Sequence, residues 1–375
     1  MSRVNFYDQF HNHPEYEVFA PGRVNLIGEH IDYCGGLVMP MAINQGTRLW
    51  LCRIDQPELQ IFSERFDELT IVDLSTTQTS EHWSDFVVGV MAKLRTDYNL
   101  RGMQIYVGAD IGGGGLSSSA SFSLAVAHGL LWGSGQTITD DAGRLELARM
   151  CQEVEHEYVG VQCGIMDQAS IALGGILSLD CASLSFQRVA NVSGEFRIVV
   201  MNTCHPRDLA GSKYNERVAE IETIKRAITP YKKLHNLCDL TSDDLPKANV
   251  YLQSTTLIRR LRHIVTENER VIAAQLAFED DDFPGFGELM NLSHDSLHAD
   301  YEVTGDALSS IVEISRNHPA CLGARMTGAG FGGCAIALVK ADQLEAHKSV
   351  VEKEFLRRTG VKPEVYAVES ADAAG

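Results

Sequence analysis

The chain is short of positive charge. Its 32 Lys and Arg face 50 Asp and Glu, a net charge of −18. A nucleic-acid backbone needs a basic face, so nucleic acid is not an expected partner. An acidic surface can still surround a small positive pocket for one nucleotide. Long apolar runs are also missing: no stretch of about eighteen apolar residues occurs, so no membrane span or membrane partner is expected. The first residues, MSRVNFYDQFHNHPEYE, are polar and lack the apolar centre of a signal segment. There is no CxxC pair. The nine cysteines (Cys34, Cys52, Cys151, Cys163, Cys181, Cys204, Cys238, Cys321 and Cys334) are scattered and odd in number, against both a zinc ribbon and a disulfide scaffold. They read as reduced, mostly buried thiols, and the expected location is the cytoplasm. Internal repeats and low-complexity segments are absent too.

What is present is a chain of 375 residues, 45% of them hydrophobic, enough for two cores. A Ser- and Asn-containing stretch at residues 191–194 is the expected boundary, dividing the chain into 1–192 and 193–375. Residues 101–110 alternate like a strand, and 120–132 form an apolar helix. Residues 144–158 have helical spacing of Leu147, Cys151, Val154 and Tyr158, with Glu155 bordering that stripe. Beyond the boundary a strand is expected at 196–201, helices at 212–228, 255–278 and 305–316, and closing strands at 334–339 and 364–368. Arg259, Arg260 and Arg262 read as a solvated helix face. Both element types alternate without regular βαβ spacing, which argues an α+β fold.

Residues 21–36, PGRVNLIGEHIDYCGG, crowd Arg23, Glu29, His30 and Asp32 among four glycines. Glycine lets a backbone turn sharply and approach a ligand, so this pattern suits a loop around a small polar molecule. A plainer reading is a loop braced by an Arg23–Glu29 ion pair. Residues 112–121, GGGGLSSSAS, lie between the expected strand and the apolar helix. Uncovered N–H groups and a helix N-terminus together cradle phosphate. No Gly-Lys-Ser/Thr follows, so this is not a Walker A loop. Residues 326–334, MTGAGFGGC, satisfy G-x-G-x-x-G, but they precede a strand instead of opening a helix. That context refuses a dinucleotide fingerprint and favours a turn packed against another loop. Residues 163–168, CGIMDQ, place Asp167 shortly after the helix bearing Glu155. Phosphoryl transfer to an alcohol needs one carboxylate for the hydroxyl proton and another for Mg²⁺.

Together these segments resemble the GHMP small-molecule kinases, and within them the galactokinase family. GRVNLIGEHIDY is similar to the family's sugar signature, GLSSSAS to its ATP loop and TGAGFGGC to its third motif. The likeness continues through CGIMDQ, SKYNER, TENERV and SHDSLHADYEVTG. It implies an N-terminal domain of ribosomal S5 domain 2-like fold and a C-terminal ferredoxin-like domain. It implies transfer of the ATP γ-phosphoryl group to the C1 hydroxyl of α-D-galactose. By the same resemblance Asp167 is the base for that hydroxyl and Arg23 lies beside it. Glu29, His30, Asp32, Gly164 and Tyr214 are implied galactose contacts. Ser63, Gly113, Gly114, Gly115, Leu116, Ser117, Ser118 and Ser119 are implied ATP contacts, and Ser119 and Glu155 implied Mg²⁺ ligands. Ile111 stands where the family commonly has Pro, which implies a looser ATP loop. The resemblance also covers kinases of N-acetylgalactosamine or other galactose-like sugars, and non-catalytic galactose sensors. The sensors can lack the Ser-Ala pair present here as Ser119-Ala120.

Overall fold

The computed structural model describes residues 2–109, 111, 115–205 and 210–375, with side chains undescribed at 2–4 and 210–212. Gly113 and Gly114, two of the expected ATP contacts, lie outside the described residues.

Eight strands build the first sheet: β1 (Tyr16–Asn25), β2 (Leu37–Val38), β3 (Pro40–Arg53), β4 (Glu58–Ser63), β5 (Glu68–Asp73), β6 (Met103–Ala109), β7 (Ile176–Asp180) and β8 (Phe186–Val189). The long β3 is its axis. It runs antiparallel to β1, with Arg23 opposite Ala42, and antiparallel to β6, with Leu49 opposite Val107. β3 is buried along most of its length, as a central strand must be. β4, between β6 and the edge strand β5, keeps the half-buried alternation of ELQIFS.

Helix α1 (Ser2–Phe10) covers one face of this sheet, seating Phe6 against Trp50 and Tyr106. The other face carries α2 (Asp85–Leu94), α3 (Ser118–Gly133), α4 (Asp141–Val154) and α5 (Met166–Leu173). α3 is buried almost all round, through Ala120, Leu124, Ala127 and Leu131, which places it at the centre of the core. This fixes the start of α3, and so the serine turn, at the end of β1.

The second sheet is β9 (Phe196–Asn202), β10 (Cys321–Met326), β11 (Cys334–Lys340) and β12 (Glu364–Val368), in the order β10-β11-β9-β12 and antiparallel throughout. With it go α6 (Ala210–Ile228), α7 (Leu245–Ala248), α8 (Thr255–Glu279), α9 (Phe283–Ser296), α10 (Gly305–Arg316) and α11 (Leu344–Thr359). The two sheets and their helices make the α+β fold expected from the sequence. After β12 the chain returns to the first sheet. Ala371 N–H donates to the Ala42 carbonyl at 3.0 Å, and Ala374 N–H to the Ile171 carbonyl at 3.0 Å.

Two expectations need correction. The helix predicted over 144–158 is α-helical only to Val154 and continues as a π-turn, Glu155–Val159. Glu155, the first residue of that turn, is itself buried beside the apolar stripe it was expected to border. Arg260 is not solvated: it is 2% exposed, with Glu220 at 3.0 Å and Glu302 at 2.7 Å.

Candidate active site

Arg23 lies near the end of β1, buried, with its guanidinium clamped from two sides. Nε and Nη2 donate to Asp167 Oδ1 at 2.8 and 2.7 Å. Nη1 donates to the Gly115 carbonyl at 2.7 Å. The Ser117 hydroxyl donates to Asp167 Oδ2 at 2.5 Å. Ser117 has a φ of 62°, unusual for a residue with a side chain, and this turn is what aims the hydroxyl at Asp167. The three residues come from β1, the serine turn and the first turn of α5. The loop-bracing Arg23–Glu29 pair does not form: Glu29 pairs with Arg325 at 3.1 Å.

Arg23, Ser117 and Asp167 line a cavity of about 270 Å³ together with Glu29, His30, Asp32, Gly115, Ser118, Ser119, Glu155, Gly164 and Tyr214. One side is the glycine loop of the first motif. Burial, then the charges of Asp167 and Glu29, push the Asp32 carboxyl up to about 7. A Cβ on Gly164 would overlap the Asp32 carboxylate, so a side chain there forces Asp32 to shift. Burial lowers His30 to about 3, so its ring is neutral. His30 Nε2 lies 3.2 Å from the Ala329 carbonyl, which only accepts, so Nε2 carries the hydrogen. Nδ1 therefore accepts from the Tyr33 hydroxyl at 3.0 Å, and Tyr33 accepts from Tyr301 at 2.8 Å. Tyr214 closes the wall, its ring 5.8 Å from His30 and 5.6 Å from Tyr33.

The other side is the serine turn. Ser119 hydrogen-bonds Glu155, and Gln168 Nε2 donates to Glu155 Oε1 at 3.1 Å. Burial, then the charge of Asp167, pushes Glu155 up to about 7. Among the described residues no group of three His, Cys, Asp or Glu is arranged to cage a metal. Ser118 and Ser119 also border a second cavity of about 170 Å³, lined by Ser63, Phe66, Trp83, Phe86, Ile111 and Phe122. Ser63 thus lies beside the serine turn, not in the first cavity. Leu116 faces away from both, toward Gln45, Asn202 and Tyr366, while its carbonyl accepts from Arg23 N–H at 3.1 Å.

The turn at 326–334 closes the site from the second half, as its context implied. Gly328 and Ala329 line the first cavity, and a Cβ on Gly328 would stand 2.7 Å from the Gly115 carbonyl. Sequence reasoning passed over Arg325, Glu267, His263 and Tyr301, although TENERV and SHDSLHADYEVTG had already marked two of these segments.

Comparison with known proteins fits this geometry. Residues 5–52 match the galactokinase galactose-binding signature. Residues 85–175 match the GHMP kinases N terminal domain, and 274–356 the GHMP kinases C terminal domain. A galactokinase of Lactiplantibacillus plantarum is 39% identical over 381 residues, 99% of this chain and 97% of the relative. The chain belongs to the galactokinase family. A second member, from Halalkalibacterium halodurans, is 37% identical over 94% of this chain and 91% of its own length. Among solved structures, Lactococcus lactis galactokinase complexed with galactose superposes with a TM-score of 0.94 at 36% identity. That match covers 100% of this chain and 98% of the other. Methanococcus jannaschii mevalonate kinase, 20% identical with a TM-score of 0.66, shares the fold over 95% of this chain and 98% of its own.

Proposed function

We propose that the protein is an ATP-dependent galactokinase that transfers the γ-phosphoryl group of ATP to the C1 hydroxyl of α-D-galactose, the first step of the Leloir galactose pathway. Galactose 1-phosphate and ADP are the products. One observation carries the assignment. The Arg23–Asp167–Ser117 cluster sits where the sugar-signature loop and the serine turn meet in one cavity. Sugar and terminal phosphate would lie on opposite sides of the same arginine.

Phosphoryl transfer needs alignment and charge stabilisation more than covalent help. Asp167 accepts the proton of the sugar hydroxyl, and its two bonds from Arg23 fix its orientation. Arg23, already desolvated, stabilises charge developing on the transferring group. Glu29, His30, Asp32, Gly164 and Tyr214 form the sugar wall. Carboxylates accept pairs of hydroxyls, so an epimer leaves a buried acceptor unpaired. Ser117, Ser118 and Ser119 face the phosphates with Gly115. The aromatic cavity of Phe66, Trp83, Phe86 and Phe122, with Ser63 at its edge, has the flat apolar walls an adenine ring requires.

Mg²⁺ fits Ser119 and Glu155. Glu155 is buried among neutral and anionic neighbours, and a divalent cation supplies the positive charge it needs. Two protein ligands suffice, because Mg²⁺ takes the rest of its shell from phosphates and water. When bound, the ion neutralises phosphate oxygens. We also place the protein in the cytoplasm, which its nine cysteines, none of them in a disulfide, favour, and divide it into units 1–192 and 193–375. Among the described residues no helix is long and apolar enough to cross a membrane.

ADP release with Mg·ATP tests the reading across galactose, N-acetylgalactosamine, galacturonate, arabinose, glucose and mevalonate. Turnover on galactose, lowered roughly 10²–10⁴-fold by Asp167→Asn in a folded protein, is the expected result. Preference for N-acetylgalactosamine would replace the substrate assignment. Turnover on none would leave a sensor.

A further inference from the structure

The N–H, the C=O and the carboxylate of Glu29 are each held by a different residue of the second half of the chain. Glu29 N–H donates to Glu267 Oε1 at 3.2 Å, beside Gly28 N–H at 3.0 Å on the same oxygen. His263 Nε2 donates to the Glu29 carbonyl at 3.1 Å. Arg325 Nη2 donates to Glu29 Oε2 at 3.1 Å. These holders are tied together. Ser293 donates to Glu267 Oε1 at 2.6 Å and accepts from Arg325 Nε at 3.2 Å. Arg325 Nη1 also donates to the Asn25 carbonyl at 2.6 Å, at the other end of the same loop. Glu267, His263, Ser293 and Arg325 are all fully buried.

We propose that Glu267 is a positioning residue for sugar selection: its buried carboxylate sets the backbone from which Glu29 reads the substrate. Two consecutive N–H groups converging on one charged oxygen fix the loop's direction more tightly than a neutral acceptor can. Burial alone would raise the Glu267 carboxyl, but Arg270 at 2.8 Å, then His263, Arg325 and Ser293, bring it down to about 2. It is charged at neutral pH without solvent. A brace of stability alone needs only Ser293 and Arg270. The pair of N–H bonds places the anion under the sugar loop in particular.

The inference rests on Glu29 as a sugar contact, and one set of measurements separates the two. Steady-state kinetics with ATP are run on galactose and on each monodeoxygalactose. In Glu29→Gln, discrimination is lost against one deoxy sugar, which identifies the hydroxyl Glu29 reads. Glu267→Gln keeps an acceptor for the loop but loses the charge and the bond from Arg270. It is expected to raise the galactose KM roughly 10–100-fold, to leave the ATP KM unchanged, and to erode discrimination at that same hydroxyl. The double variant should then be little worse than the worse single one. An unchanged galactose KM, or equal losses on every sugar and on ATP, overturns the proposal. If Glu29→Gln discriminates normally, the assignment of Glu29 fails first and takes the proposal with it. Should Glu267→Gln not fold, Ser293→Ala removes the bridge but keeps both charges. The same hydroxyl-specific loss, smaller in size, then supports the proposal, and its absence overturns it.

Discussion

Single residues in this site are constrained by what lies beside them. Gly164 shows this most directly, because any side chain there enters the space of the Asp32 carboxylate. Gly164→Ala is expected to raise the galactose KM at least 10-fold, on the order expected for losing a hydrogen bond to a charged group. The ATP KM and the melting temperature should stay near the parent values. Steady-state kinetics with either substrate varied would check this, and an unchanged galactose KM would remove Asp32 from the sugar wall. The residue types were legible beforehand. Arg, Glu, His and Asp between glycines announced a polar ligand, and a lone Asp after CGIM stood out. Their partners were not. Arg23 and Glu29 are six positions apart and of opposite charge, so a local pair was reasonable. The fold instead gives each a better partner, Asp167 for one and Arg325 for the other. A buried ion left without its partner is costly, so burial dictates this exchange.

Secondary-structure elements carry these residues to the cavity, and the tail holds one carrier in place. Residues beyond β12 bond to β1, β3 and the C-terminal end of α5, the helix whose first turn holds Asp167. Removing residues 369–375 deletes several backbone hydrogen bonds at roughly 1 kcal/mol each. The melting temperature should fall by roughly 5 °C or more. Because α5 is loosened, kcat should fall beyond the loss of folded protein. A truncated protein with parental melting and kcat would show that the tail is idle. Element types were largely readable. Helix α10 begins and ends at the expected residues, and β6, β9, β11 and β12 fall within a residue or two of expectation. The π-turn at Glu155–Val159 was not readable, because one extra residue leaves the apolar spacing before it intact.

At the scale of the whole molecule, burial of neutral histidine sets the acid limit. His30 and His294 are lowered to about 3, and His128, His263 and His347 to about 4, in each case first by burial. The unfolded chain protonates these rings below its ordinary value of 6.5, while the folded chain does not. Their contribution is therefore intact above 6.5 and lost as pH falls from there toward 3 to 4. Asp32 and Glu155, raised to about 7, and Glu29, raised first by burial, act with the opposite sign and gain stability as pH falls toward their unfolded values. Five imidazoles outweigh three carboxyls. Denaturant midpoints should thus drop between pH of about 7.5 and about 5, by a few kcal/mol in free energy. A midpoint flat over that range would mean the histidines are not buried as described.

By itself the sequence determined the kinds of element, the acidic surface, the three glycine-rich turns and the family those turns belong to. These are properties of neighbours in the chain, set by composition and period. The tertiary structure alone decided that Arg23 meets Asp167, that Ser117 joins them, and that Glu267, His263 and Arg325 reach across from the second half to hold Glu29. Such partners are chosen by which charged and polar groups are buried together, and no local pattern encodes that choice.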